Sequence, residues 1–575
     1  MEANLWSLAG AVAAVVASFA VGLWGGRSAR VTDDFCTARQ PVPVKLNAAA
    51  VSGQYLSAAA FLGVSGLLLK NGVDALWYPV GFAAGCVALM LFVVAPVRRS
   101  GAYTLPDFAV ARLDSDRLRV LCTVLVVLVS WLYLVPQLQA AGLVWNVVTG
   151  LPYWSGVLCL VGCILLGALT GRMRSVTVVR AFQYWVKLAA VFVPTFALFL
   201  VFLVSGPPRQ ALTEPAPPVF AAETEVEVHT DVQVRVSAPV WLQQDGSSTY
   251  LSPGEYTIAS GAQLRFPAGA PAPVVLDAEP LNADWLRPGT GDLPGVLHVY
   301  SVLLATLLGT MGLPHMVPRF YSNLSGQAAR RTGFFVVVMV GAFLVCPMVL
   351  GLLSRLYVPQ LLVTGHSDAA VLLLPTAMLD NWLGAVLSAV VTAGAFAAFF
   401  AAGSGLLFSA GGVLASDVLR TRNVHWGYIV ACPVPVLLAL AMEHQDIVRG
   451  VGLAFAMSAS TFAVLLLLGI WWRGLTAAGA ASGMLTGALL VLVGMVVWLG
   501  SEPGSTWAVL AGQPALVSVP AAFLVALVVS RATQNQVPPN VGRVMLRLHA
   551  PDRLRLSADA DRSTEFGRTN GASAE

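Results

Sequence analysis

Along almost its whole length the chain alternates apolar blocks of membrane-spanning size with short polar stretches rich in arginine. About 20 apolar residues are needed for a helix to cross the hydrocarbon core. Thirteen blocks meet that need, at about 3–24, 46–69, 76–97, 119–149, 153–170, 181–204, 295–316, 333–358, 380–416, 424–442, 450–472, 475–499 and 506–530. Two stretches depart from the pattern. Residues 206–293 are rich in Pro and Gly, yet hold alternating runs such as Val226-Glu227-Val228 and Val232-Gln233-Val234-Arg235-Val236, the period of a strand. Ser252-Pro253-Gly254-Glu255 marks a turn between two further strand-like runs. This predicts a small β-rich insert, the alternative being a Pro/Ala linker. Residues 531–575 are polar, Arg-rich and poor in aromatics, the composition of a disordered tail.

Composition agrees. Of 575 residues, 57% are hydrophobic and 11% charged, with a mean hydropathy of +0.76. Soluble domains carry about 25% charged residues, so a water-soluble enzyme is excluded. Charge placement sets an orientation. With the N-terminus outside, 25 Lys and Arg fall in the inside stretches against 7 outside, as the positive-inside rule demands. The first block follows Glu2 with no positive charge, and Arg27 and Arg30 come after it, so it reads as a retained helix and not a signal peptide. The C-terminal tail is then cytoplasmic and the insert extracytoplasmic. The 7 cysteines form no CxxC or Cys/His cluster. No Ser/His/Asp set, HExxH or paired mid-membrane carboxylates point to an enzyme, and the expected partners are a bilayer and a small solute, with no nucleic acid. Arginine usage against three lysines suits a bacterial plasma (inner) membrane protein.

Two blocks have centres unsuited to passive anchors. The second runs Ser52-Gly53-Gln54-Tyr55-Leu56-Ser57-Ala58-Ala59-Ala60, small and polar where leucine would be expected. The seventh contains Gly309-Thr310-Met311-Gly312-Leu313-Pro314-His315. Interrupted helices free backbone groups to line a cavity at mid-membrane. As second and seventh, they each open a five-helix unit once the first helix is set aside, the spacing of a five-plus-five inverted repeat. The organisation expected is 1–205 (first helix and first repeat), 206–293 (insert), 294–530 (second repeat and two extra helices) and 531–575 (tail). The ninth block, from Thr392-Ala393-Gly394 to Gly403-Ser404-Gly405, offers small surface for a close helix crossing.

At these residues the chain resembles the sodium:solute symporter family, within it the cation/acetate (monocarboxylate) branch. Gly53 to Gly63 is similar to G-D-Y-(M/L)-S-A-A-S-F-L-G of that branch; Tyr133-Leu134-Val135-Pro136-Gln137 with Ala141-Gly142 to F-Y-L-x-x-Q-x-x-x-A-G; and Gly309 to His315 with Arg319-Phe320 to G-T-x-G-L-P-H-x-x-x-R-F. The resemblance covers roughly 30–205 and 295–475. It implies a symporter importing acetate, propionate or pyruvate on a Na+ or H+ gradient, with Na+ as a possible bound ion. The family's cation site would fall on carbonyls of Gly53, Leu56 and Ala398 and on two hydroxyl positions, which here are Ala401 and Ala402. The acidic residue of the first motif is Gln54, and that of a second W-T-D-x-x-Q pattern is Arg180. Thr170-Gly171-Arg172-Met173-Arg174 departs from a glycine-rich family stretch. The coupling ion therefore stays open.

A carboxylate held between the broken helices would meet the free N–H groups and positive end of a half-helix. Gln54, Tyr55, Ser57, Tyr133, Gln137 and Thr310 are the residues expected to line that site, each equally suited to a helix-to-helix hydrogen bond. His315 and Lys187 are the ionisable residues nearest the membrane interior and, with Arg319 and Arg180, the candidates for gating or coupling. The alternatives are a symporter for proline, urea or a vitamin, and a non-transporting solute sensor. The insert would serve as a lid or as the docking surface of an extracytoplasmic partner.

Overall fold

The computed structural model describes residues 5–27, 43–170, 173–206, 216–289 except 229 and 245, 293–501 except 322, 324, 422 and 444, then 506–551 and 554. Arg30, Cys36, Arg39, Arg172, Arg209 and the tail beyond 554 lie outside the described residues. The spans are α1 (Leu5–Arg27), α2 (Val44–Tyr55) continued by α3 (Val64–Asn71), α4 (Trp77–Phe92), α5 (Asp116–Thr149), α6 (Tyr153–Thr170) and α7 (Met173–Ser205). After the insert come α8 (Leu293–Gly312), α9 (Gly326–Tyr357), α10 (Trp382–Val413), α11 (Val424–Ala431) with α12 (Pro433–Ala441), α13 (Ile447–Ser460) with α14 (Phe462–Trp471), α15 (Ala477–Leu499) and α16 (Ala515–Ala532).

All thirteen apolar blocks are helical where described, and among the described residues 11 helical runs are long and apolar enough to cross a membrane. The counts differ for two local reasons. The second and third blocks join into one run, Ala59–Phe92, through a 3-10 turn at Gly72–Leu76, and Tyr153–Leu169 falls among the shorter apolar helices. Outward-facing leucines and valines on these helices, such as Leu489 at 62% exposure, suit contact with lipid.

The expected insert is a folded β unit, which removes the linker alternative. Seven strands, β1 (Thr224–Glu227), β2 (Val232–Val236), β3 (Val240–Gln244), β4 (Ser247–Leu251), β5 (Gly254–Ile258), β6 (Gln263–Phe266) and β7 (Val274–Val275), form two antiparallel sheets, β1-β6-β3-β4 and β5-β2-β7. Alternation sets the faces: Val234 and Val236 are buried while Gln233 and Arg235 are exposed. The inner face packs on Leu361, Leu362 and Val363, which follow α9, and on Leu69 at the end of α3. Polar bonds fasten the same junction. Lys70 bridges Asp277 of the insert's return segment at 2.9 Å and Asp446, at the start of α13, at 3.2 Å. Trp285 Nε1 donates to the Leu68 carbonyl, and Arg355 donates to Asn282 and to the carbonyls of Leu69 and Glu279.

The tail corrects one expectation. α17 (Val541–His549) is an ordered helix that packs against the helix Val94–Ser100, with Met545 and Leu548 buried and Arg99 donating to the Leu548 carbonyl at 3.3 Å. Val541, Val544, Met545 and Leu548 recur at helical spacing and form an apolar stripe, which the Arg- and Pro-rich composition around them conceals.

At the centre, α2 lies against α7, α9 and α10, and α8 against α4 and α13, so both broken helices are enclosed by helices of both halves. α10 also packs on α1, α5 and α7 along its small-residue face. At Gly53 the approach is tight: a Cβ there would lie 2.4 Å from the Arg180 carbonyl oxygen and 3.2 Å from Tyr184 Cβ. Only a residue without a side chain lets α2 and α7 touch at that level.

Candidate functional site

The break in the second span is built by backbone bonds that turn aside from helical register. Leu56 leaves the helical region (φ −78, ψ 85), and the chain re-enters it at Ala58, before a π-turn at Ala59–Gly63. The Ser57 amide, which would bond the Gly53 carbonyl in a continuous helix, donates instead to Tyr55 at 3.0 Å. The Ala58 amide donates to Gln137 Oε1 at 2.9 Å. The Gly53 carbonyl is thereby released from helical pairing. Lys187, fully buried on α7, takes it: its ammonium donates to the Gly53 carbonyl and, at 2.8 Å, to that of Leu56.

Opposite, α8 ends at Gly312 and the chain passes through Leu313, Pro314 and His315 before the short helix Val317–Phe320. Proline supplies no N–H there. Two hydrogen bonds from α2 cross the gap: Gln54 Nε2 donates to the His315 carbonyl at 3.1 Å, and Tyr55 Oη to the Thr310 carbonyl at 3.2 Å. Ser458 of α13 donates to the Gly309 carbonyl at 2.9 Å. The Thr310 hydroxyl turns back onto its own helix, at 2.6 Å from the Thr306 carbonyl. The Asn47 amide reaches the Arg319 carbonyl at 3.3 Å.

Between the two breaks sits an aromatic layer. Tyr133 donates to Ser57 Oγ at 3.1 Å, and its ring lies 5.4 Å from His315 and 5.7 Å from Phe455. Phe82 bridges Tyr55 and Phe455, 5.8 Å from each. His315 is buried, and neither ring nitrogen has a hydrogen-bond partner among the described residues. Two groups able to donate or accept therefore stand beside Tyr133 with their capacity unused.

Arg180 lies one face below. Its guanidinium donates to Gln54 Oε1 at 3.0 Å and stacks over Phe408 at 5.4 Å, while Nε and Nη2 have no partner among the described residues. Beside it is a cavity lined by Ser18, Phe19, Gly167, Gln183, Phe400 and Ser404. The buried basic side chains around the breaks, among the described residues, are thus Lys187, Arg180 and His315. The buried acid among the described residues, Asp368, belongs to the insert end, where it accepts from the Ile447 amide at 3.3 Å.

The residues named from sequence therefore converge, with different tasks. Gln54 ties α2 to α7 and to the break after α8. Gln137 caps the second half of the broken helix and contacts the Tyr133 carbonyl only at 3.4 Å. Ala398, Ala401 and Ala402 are buried on α10, and the Ala401 carbonyl accepts from Ser404 at 3.1 Å. Sequence reasoning missed Phe82 and Phe455, which look like any apolar helix residues. It also missed the interruption between α13 and α14 at Thr461, where the cluster Ser458, Ser460, Thr461 was a readable signal.

Comparison with known proteins covers most of the chain. The family model of the sodium:solute symporter family matches residues 35–213 and 274–487, leaving the strands β1–β6 between its two parts. An uncharacterized symporter, YwcA, of Bacillus subtilis (strain 168) is 26% identical over 525 residues, 87% of this chain and 89% of its own length. A monocarboxylic acid transporter of Corynebacterium glutamicum is 26% identical over 538 residues, 89% of this chain and 88% of its own. Among solved structures, a substrate-bound, outward-open Na+-coupled sialic acid symporter shares the fold, with a TM-score of 0.58 at 13% identity over 91% of this chain and 98% of that one.

Proposed function

Since the chain belongs to the sodium:solute symporter family and is a multi-pass membrane protein, we propose that it imports a small monocarboxylate of the acetate, propionate or pyruvate class on a cation gradient. The family is one of transporters and not of enzymes. The observation that carries the choice of solute is the sign of the buried charge. Lys187 and Arg180 are the buried basic side chains beside the two breaks, His315 adds an uncharged ring with hydrogen-bonding capacity, and no buried acid stands among the described residues there. Charges in a low-dielectric interior are felt strongly, so this centre favours an anion over a cation. A zwitterion such as proline would bring a further ammonium group into a centre whose buried basic side chains, Lys187 and Arg180, face no buried acid among the described residues. The relative from Corynebacterium glutamicum supports the same class.

The solute would sit between the α2–α3 break and the turn after α8. Its carboxylate would face the His315 ring and the N-terminal end of the second half-helix, with its short carbon chain on Tyr133, Phe82 and Phe455. Gln137 and Tyr133 hold Ala58 and Ser57 in the present arrangement, so binding exchanges these bonds for bonds to the solute. Arg180, at the cavity beyond Gln54, would receive the anion on its way out. On the orientation read from the arginine distribution, the insert would lie outside and both the Arg180 cavity and the C-terminus inside, in a bacterial plasma membrane.

Counterflow tests the solute class without assuming a driving ion. Proteoliposomes loaded with unlabelled acetate are diluted into labelled acetate, with propionate, pyruvate, proline or urea as competitors. The proposal expects exchange that propionate and pyruvate suppress and that proline and urea leave unchanged. Exchange of proline or urea without exchange of acetate would overturn it.

A further inference from the structure

Resting on the reading of this chain as a cation-coupled symporter, we infer that the Lys187 side-chain nitrogen occupies the carbonyl cage where the family pattern would hold sodium, so that this protein binds no Na+ there. The residues present do not fit the ion. The Gly53 and Leu56 carbonyls are the two backbone ligands that the broken second span would give to a cation, and both accept from Lys187 Nζ. The hydroxyl positions that would complete the cage are Ala401 and Ala402, whose methyl groups donate no oxygen. A bare alkali ion needs oxygens all around it, whereas an ammonium has three N–H donors and is served by a few acceptors on one side.

The surroundings agree. Both positions where the family pattern carries an acid hold other residues here, Gln54 and Arg180, and these two bond each other at 3.0 Å. A mobile cation would thus meet the Lys187 nitrogen at contact distance and a guanidinium bonded to the neighbouring Gln54, with no buried carboxylate at the breaks among the described residues. The lysine is brought there by construction. Arg180, Gln183, Tyr184 and Lys187 lie along one face of α7, spaced at helical intervals, and the absent side chain at Gly53 lets that face press against α2. The tethered nitrogen holds the free carbonyls of the break in place, as a bound ion would, and it cannot leave.

Binding of radiolabelled sodium ion to the purified full-length protein, read by scintillation proximity, tests this with no solute present. Its outcome is therefore independent of whether acetate is the substrate. The wild type is expected to give no saturable signal, and A401S/A402S, which adds the two hydroxyls but keeps the lysine, is expected to give none. K187A/A401S/A402S, shown first to be monodisperse and to melt cooperatively, is expected to gain saturable binding. Saturable binding by the wild type or by A401S/A402S would overturn the inference. So would a folded triple variant without it, because the lysine would then not be what keeps sodium out. Should the triple variant not fold, the first two proteins decide the matter.

Discussion

Gln137→Leu separates a structural role from a ligand role at one of the residues expected to line the solute site. The substitution keeps the volume and removes the carbonyl that accepts from the Ala58 amide at 2.9 Å. Ala58 is fully buried and begins the second half of a broken helix, so no other acceptor takes over. Leaving one buried N–H unpaired costs about 1–3 kcal/mol. The second bond of Gln137, to the Tyr133 carbonyl at 3.4 Å, is long and adds little. One kcal/mol moves Tm by about 2–4 °C in chains of 150–250 residues and by less in longer ones, so the expected change is a fall of a few degrees. Intrinsic tryptophan fluorescence during a thermal ramp, in one detergent and at one scan rate, measures it. The comparison is Tyr133→Phe, which loses a single hydroxyl contact with Ser57 and should fall less. A Gln137→Leu protein as stable as the wild type would refute the cap and return the carboxamide to the list of free ligands.

Three further outcomes are expected. Gly53→Ala forces a methyl to 2.4 Å from the Arg180 carbonyl oxygen, so α2 and α7 must part; the overpacking costs about 1–3 kcal/mol, visible as a lower Tm, and transport falls further than stability does. Lys70→Met leaves Asp277 and Asp446 without their shared cation, which should loosen the insert's return segment and speed its cleavage in limited proteolysis, while α-helical content is unchanged. Arg180→Leu removes the guanidinium from the cavity and from Gln54; a charge-assisted bond of about 1.5–3 kcal/mol should appear as a rise of about tenfold or more in KM for acetate. An unchanged KM would take Arg180 out of the anion's path.

What was legible in the sequence follows from how locally each feature is encoded. The interruptions at Leu56–Ser57 and after Gly312 were visible because small and polar residues in an apolar block signal a break wherever they occur. The β insert was visible because its alternation is strict from Val232 to Val236. The partners of each polar group were not visible, since they join residues far apart along the chain: Gln137 with Ala58, Lys187 with Gly53 and Leu56, Lys70 with both Asp277 and Asp446. Gln137 is an amide in an apolar run and needs a partner at depth, but the choice between solute and backbone depends on a backbone N–H freed only by the three-dimensional break. The tail helix was hidden for the opposite reason. Its apolar stripe is local, but four residues in a charged segment carry little weight until Val94–Ser100 offers them a surface.

The most direct measurement of the central claim is uptake of labelled acetate into proteoliposomes under a Na+ gradient and a pH gradient imposed separately, each read as the excess over protein-free liposomes, because undissociated acetic acid crosses a bilayer and follows a pH gradient unaided. The account predicts accumulation when the pH gradient is imposed in sodium-free buffer, and no added accumulation from the Na+ gradient. Accumulation driven by Na+ alone would contradict the assignment of Lys187. No accumulation of acetate under either gradient would contradict the monocarboxylate symporter itself.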